Sequence, residues 1–291
     1  ARKLARQFGY KGAKWGKQVG PEGRTAPWDG SFLLHWQQPH PIFFAELEYR
    51  LKPSRETLLK WDTIVMETAE YMADFPTPGE DGKFHLTPVR TANENDDGTD
   101  PAFELAYWNW ALEKAQEWRV RLHGERDNRW DSILNNLAPL PQHEGLYLFC
   151  DGWNNSYSDL NEGHPDPLGT VAFLPLSPAV DAKVASRTVL KIADEWRWER
   201  TWGWDFPWAA MAAARMGHPG IAVDILLKEV KKNSYTVNGI NDGWYFPGNG
   251  GVLYAVAMMA AGWDGAPSKH APGFPDDGSW VVKWEGLQKA L

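Results

Sequence analysis

The chain has 291 residues and a mass of 32.9 kDa, enough to bury a full core as one large domain or two small ones. A formal charge of −8 and a pI near 5.5 argue against a nucleic-acid partner, because that binding relies on Lys and Arg neutralising phosphates. No run approaches the ~18 consecutive apolar residues of a membrane span, and the single cysteine, Cys150, excludes an internal disulfide and a Cys-rich zinc site.

The opening ARKLARQFGY has no apolar signal core, so a soluble protein with no membrane partner is expected. Cysteine usage leaves the compartment open, with the periplasm or secretion favoured over the cytoplasm. Pro41 starts a helix over 41–50, and Ser54 caps a second over 54–75 whose apolar residues Leu58, Trp61, Val65, Ala69 and Met72 keep a 3.6-residue spacing. A third helix is expected over 101–122, with Asp100 as its cap and Pro101 at its first position. It carries two apolar stripes, Phe103–Tyr107–Trp110 and Leu105–Trp108–Leu112–Ala115, so most of its circumference should be buried. Further helices are expected over 126–137, 179–195, 206–217, 219–232 and 249–261, and strand patterns appear only in GLYLF (145–149) and SWVVKWEG (279–286). The fold class is therefore all-α: a toroid of helix hairpins with minor β-hairpin elements in its loops and no visible domain boundary in 1–291. Long loops would collect at one mouth of such a ring, where a rigid scaffold can present functional residues.

Eighteen tryptophans are several-fold more than ordinary usage. Those inside helices, such as Trp61, Trp108 and Trp118, belong in a core. Those in polar, Gly-rich stretches, among them Trp15, Trp28, Trp36, Trp153, Trp202, Trp204 and Trp244, suit a ligand that is apolar on one side and hydrogen-bonding on the other, as a sugar ring is.

TANENDDGTDPAFELAYWNW (91–110) admits three readings. From Asn93, acidic or amide residues fall at positions one, three and five, with Gly98 at six and Glu104 at twelve, the spacing of an EF-hand calcium loop, although Asp100 and Pro101 fit that loop badly. It is equally a solvated acidic loop whose Asp100 caps the next helix. The third reading is catalysis by Glu94: a carboxylic acid beside buried tryptophans can stay protonated by desolvation and donate to a leaving oxygen, as glycoside cleavage requires. That chemistry needs a second carboxylate, ~5 Å away as a nucleophile or ~6.5–9.5 Å away as a base activating water. Asp242, in GINDGWYFPGNGG, and Asp205, in ERTWGWDFPW, are the candidates, each also explained by a turn or a helix start. Asn154, Asn155 and Asn249 suit sugar hydroxyls, and His35 and Gln37 in LLHWQQPHP could line the same mouth. No G-x-S-x-G, H-E-x-x-H or P-loop occurs, and no cofactor or metal is implied.

Together these residues resemble the C-terminal part of an (α/α)6-barrel, or six-hairpin, glycosidase, similar to glycoside hydrolase families 65 and 95. GYKGAKWGKQ (9–18) resembles the family-65 segment that leads into the barrel-lining helices, ETAEYMADF (67–75) the helix before its general-acid loop, and FPGNGGVLYAVAMM a family-95 segment near the chain end. The resemblance puts the acid on Glu94. The family-95 aspartate that helps activate water falls on Pro247, so Asp242 is a substitute for it and not a matched position. About eight helices are expected where a full ring needs twelve, so the chain reads as a shortened barrel or the C-terminal part of a larger catalytic domain. The resemblance implies an inverting hydrolase acting on an oligosaccharide, with a glycoside phosphorylase or a non-catalytic carbohydrate-binding module as the alternatives. Nothing in the sequence fixes the sugar or the oligomeric state.

Overall fold

The computed structural model describes residues 1–291 except 27, 28, 95 and 96, and every side chain of the rest except those of Asp29 and Asp242. Trp28 and Asn95 thus lie outside the described residues. The chain divides into two compact units, Ala1–Pro141 and Gln142–Leu291.

The first unit holds helices α1 (Arg2–Gln7), α2 (His40–Leu51), α3 (Arg55–Asp74), α4 (Ala102–His123) and α5 (Asn128–Asn136). Two short hairpins lie between α3 and α4: β1 (Thr77–Pro78) with β2 (Phe84–His85), and β3 (Val89–Arg90) with β4 (Asp97–Gly98). Ser54 caps α3, its hydroxyl accepting from the Thr57 N–H at 3.1 Å, and Asp127 caps α5 through the N–H groups of Arg129 and Trp130. Asp100 is not the cap of α4. Pro101 occupies that position, and the buried Asp100 carboxylate accepts from the Leu86 N–H at 2.8 Å and from His85 Nδ1 at 2.5 Å, fastening β2 to the start of the helix.

Helix α4 packs against α2, α3 and α5, which is why its apolar stripes reach round most of its surface. Trp108 and Trp118 are fully enclosed, and each indole N–H still finds an acceptor: the Met72 carbonyl for Trp108 and the Glu46 carboxylate for Trp118, both at 2.9 Å. Burial pushes the Glu46 carboxyl up, but its bonds from Arg121 and Trp118 outweigh burial and hold it below the usual range.

Lys14 is fully buried in this unit, donating to the Leu34 carbonyl and standing 5.7 Å from the Phe32 ring. Burial pushes its amine down to about 7 from 10.5. Burial likewise drives the His35 imidazole well below 6.5, with the Lys14 ammonium adding to the effect, and takes His40 down to about 4. The signs agree. Between about pH 4 and 6.5 the unfolded chain binds more protons through its histidines, and between about 7 and 10.5 it does so through Lys14, so stability rises with pH across both windows. Above about pH 10 half-buried Tyr10 and buried Tyr71, whose hydroxyls burial pushes up, oppose the trend in this unit. Unfolding free energy should therefore climb from about pH 5 to about pH 9 by a few kcal/mol, less the opposing share of His85, which its bond to Asp100 pushes up, and Lys14→Met should reduce the slope above about pH 7. A flat wild-type profile between about pH 7 and 9 would show that the amine keeps its charge in the fold.

The second unit holds β5 (Gln142–His143) paired with β6 (Leu146–Tyr147), then α6 (Ser156–Asp159), α7 (Ala182–Glu195), α8 (Asp205–Arg215), α9 (Pro219–Leu226) and α10 (Phe246–Ala261). Alanine-rich α8 is buried from Asp205 to Ala214 and is the element on which α7, α9 and α10 pack. Its neighbour α10 comes so near that a Cβ on Gly251 would lie 2.8 Å from the Pro207 ring, which accounts for the glycine at that position.

The structure corrects four expected elements. GLYLF pairs only through Leu146–Tyr147, and no strand forms over 279–286, where Val281 is exposed and no neighbouring strand offers a ladder. The helix expected over 219–232 stops at Leu226, because the Asn233 side chain donates to the carbonyls of Leu226 and Lys228 and ends the ladder there. Helix α10 starts at Phe246 with Pro247 in its first turn, three residues before the expected start. Among the described residues, no helix is long and apolar enough to cross a membrane.

Candidate active-site residues and their settings

Each unit carries one cluster of the residues singled out from the sequence. In the first, Glu94 sits at the end of a turn from Thr91, with its N–H on the Thr91 carbonyl at 3.0 Å and a left-handed φ of +57°. A non-glycine residue held there is sterically costly, a feature that concentrates at functional sites. Its surroundings are not the dry, indole-walled pocket expected. The Glu94 side chain is 32% exposed and forms an ion pair with the Lys17 ammonium, which stands 5.8 Å from the Trp36 ring. Glu94 is thus a carboxylate held by a cation near a half-buried indole, and to act as an acid it would have to lose that cation and take up a proton first.

The residues around this pair are tied into the scaffold. The Trp15 backbone N–H donates to the Gln38 side chain at 2.8 Å and its indole N–H to the Thr68 hydroxyl at 2.9 Å. Gln37 is buried, and its amide donates to the carbonyls of Trp15 and Leu34. His35 has no exposed surface: Nδ1 meets the Leu33 carbonyl, Nε2 meets the Tyr71 hydroxyl, and the ring stacks on Phe75 at 4.2 Å. His35 therefore holds the core and reaches no ligand; Trp36, beside Lys17, keeps a partly exposed face.

The calcium reading finds its residues in other employment. Asp97 pairs with Arg90 across the β3–β4 hairpin, Asp100 is spent on β2, and Glu104 is enclosed within α4. Among the described residues no group of three or more His, Cys, Asp or Glu is arranged to hold a metal ion.

In the second unit, Asp205 opens α8 with no exposed surface. Its Oδ2 accepts from the Trp202 N–H at 2.8 Å and from the Thr201 hydroxyl, while Oδ1 lies 2.8 Å from His164 Nδ1. The Trp204 indole N–H also reaches His164 Nδ1 at 2.8 Å. One ring nitrogen either donates or accepts, so the carboxylate and the indole compete for it, and the tautomer of His164 decides which bond is made. Asp205 thus clamps the Thr201–Trp204 loop, a larger task than capping its helix.

The turn after α9 is fixed from the same side. Asn241 is buried, its amide donating to the carbonyls of Lys232 and Ser234, and its oxygen lies so close to Gly203 that any Cβ there would overlap it. Asn249 accepts from the Asn241 N–H and donates to the Gly239 carbonyl, so it braces this turn. Asp242 begins the short helical turn Asp242–Trp244, and its side chain lies outside the described residues. Trp244 is 70% exposed with a φ of +65°, and Trp202 is exposed beside Tyr245, its ring 4.7 Å from the Lys232 ammonium. Trp204 stacks on Trp208 at 5.1 Å. Trp153 is half-buried at the start of a turn, whereas Asn154 and Asn155 are exposed and their side chains bond to nothing in the described chain.

Sequence reasoning missed Lys17, Thr201 and Asn241, and did not pair His164 with Asp205. Lys17 lies within the quoted GYKGAKWGKQ stretch, but nothing local marks it as the partner of a residue in another loop. His164 meets Asp205 across 41 positions, a pairing that only the folded chain makes.

Comparison with known proteins gives a fold and no family. No family model matches the chain, and no curated protein does. Nine chains of solved structures match. One of them, "Putative kojibiose phosphorylase from human microbiome", superposes with a TM-score of 0.65 at 12% sequence identity, over 90% of this chain and 42% of that one. The chain therefore spans less than half the length of that structure, and at this identity the likeness establishes a shared mainly helical fold.

Proposed function

We propose that the chain is the helical part of a carbohydrate-active enzyme that cleaves a glycosidic bond with inversion, Glu94 protonating the leaving oxygen. The observation that carries this reading is the setting of Glu94: a partly exposed carboxyl on a left-handed backbone, beside an indole face, in a fold similar to that of a glycoside phosphorylase. The Lys17 ammonium holds the carboxylate. As a bound sugar displaces the lysine, Glu94 would take up a proton from solvent and give it to the leaving oxygen, and the indole of Trp36 would stack on the ring as the loop tryptophans Trp204 and Trp244 would elsewhere. For the second carboxylate, Asp242 is the proposed base. Asp205, enclosed and committed to three partners, positions the loop and has no face open to a water.

Hydrolysis is proposed over phosphorolysis because residues 245–252 contain no Ser, Thr or His with which to hold an attacking phosphate. The competing reading, a carbohydrate-binding module without catalysis, is favoured by one observation, the Lys17 ion pair that occupies Glu94. Proton NMR of a panel of disaccharides incubated with the protein, with and without inorganic phosphate, separates the three. The expected result is phosphate-independent release of a sugar of inverted anomeric configuration. Sugar 1-phosphate formed only when phosphate is present would make the protein a phosphorylase, and binding without turnover of any disaccharide would make it a binding module.

A further inference from the structure

A cleft of about 350 Å³ lies in the second unit between residues 143–161 and the C-terminal half of α7, and it shares no lining residue with the cluster around Asp205. We propose that this cleft is a separate binding site for a neutral sugar, gripped by the side-chain amides of Asn154, Asn155 and Asn161.

Three features converge on that ligand. All three asparagines line the cleft, and none of their side chains makes a hydrogen bond within the described chain. Each amide offers one acceptor and two donors, the complement of adjacent hydroxyl groups, which each donate and accept. Leu146, Leu148 and Tyr157 supply an apolar wall on the same cleft, suited to the C–H face of a pyranose, and the Tyr157 hydroxyl is fixed on the Tyr147 carbonyl at 2.5 Å. The one lysine on the cleft is already engaged: Lys191 pairs with Glu195 one helical turn on, and Glu144 stands 3.9 Å from His143. No unpaired cation remains to attract a phosphate or carboxylate, so a neutral polyol is the ligand the lining fits. The volume lies at the lower end of the ~300–1,000 Å³ of small-molecule sites, which suits one or two sugar rings.

The inference rests on the proposed function for a sugar as its ligand class, to which the lining adds the preference for a neutral one. Uniformly 15N-labelled protein titrated with a panel of neutral disaccharides at millimolar concentration tests it through the asparagine side-chain NH2 resonances. Saturable shifts of Asn154, Asn155 and Asn161 are expected with at least one sugar, weakened at least tenfold in the Asn155→Ala/Asn161→Ala variant. Neither side chain bonds within the chain, so folding should survive, and Asn161→Leu provides a second variant that keeps bulk while removing every hydrogen bond. Absence of saturable shifts across the panel, or shifts unchanged in both variants, overturns the proposal. The titration is repeated on Glu94→Gln protein, which separates the two claims: asparagine shifts without cleavage by the wild type leave the cleft standing and remove the enzyme, whereas cleavage without shifts does the reverse.

Discussion

Turnover of substrates with poor leaving groups is expected to fall by ~10²–10⁴-fold when Glu94 is replaced by glutamine, the usual contribution of a general acid. The amide matches the carboxyl in size and can still accept a bond from Lys17, so the local structure should hold. What it loses is a proton to give. The loss should shrink for aryl glycosides whose leaving phenol is already acidic, because their departing oxygen needs no protonation. Comparing kcat/KM for an activated aryl glycoside with that for an oligosaccharide, in wild type and Glu94→Gln, therefore reads the proton transfer itself. An equal loss on both substrates would assign Glu94 to binding, and activity within a factor of about three of wild type would remove it from the site.

Asp205→Ala should be the most damaging single change to stability in the second unit, at ~3–5 kcal/mol. The carboxylate has no exposed surface, and its removal strips the Trp202 N–H of its acceptor in a space water cannot readily enter and frees the loop from His164, while the Thr201 hydroxyl keeps the Gly163 carbonyl. Chemical denaturation with an unchanged m-value measures this, and a loss below about 1 kcal/mol would show that the loop holds its place without the carboxylate. The same variant tests the division of labour between the carboxylates. If Asp242 is the base and Asp205 the clamp, added azide should restore turnover to Asp242→Ala, where a small anion can enter the vacated site, and should leave Asp205→Ala unrescued. Rescue of Asp205→Ala alone would exchange the two roles.

Much of the fold was legible because it depends on local chemistry. Ser54 and the 3.6-residue spacing after it mark α3 without any tertiary contact, and the two stripes of α4 announce a helix enclosed by neighbours. Where a distant side chain intervenes, the local pattern failed. The apolar run after Pro219 continues past Leu226, yet Asn233 folds back on the helix end and stops it, and SWVVKWEG has strand composition with no strand beside it.

The site divides along the same physical line. Sequence alone determined which residue types were at hand: an acidic loop at Glu94, loop tryptophans, carboxylates at 205 and 242, and amides at 154 and 155. Tertiary structure alone decided which of them are spent. It buried His35 against Tyr71 and Phe75, set Lys17 on Glu94, enclosed Asp205 with His164 and Thr201, and left Asn154 and Asn155 facing a cleft. The reason is range: periodicity and capping act within about one helical turn, whereas a side chain's burial and partners are set by whichever distant segment packs over it.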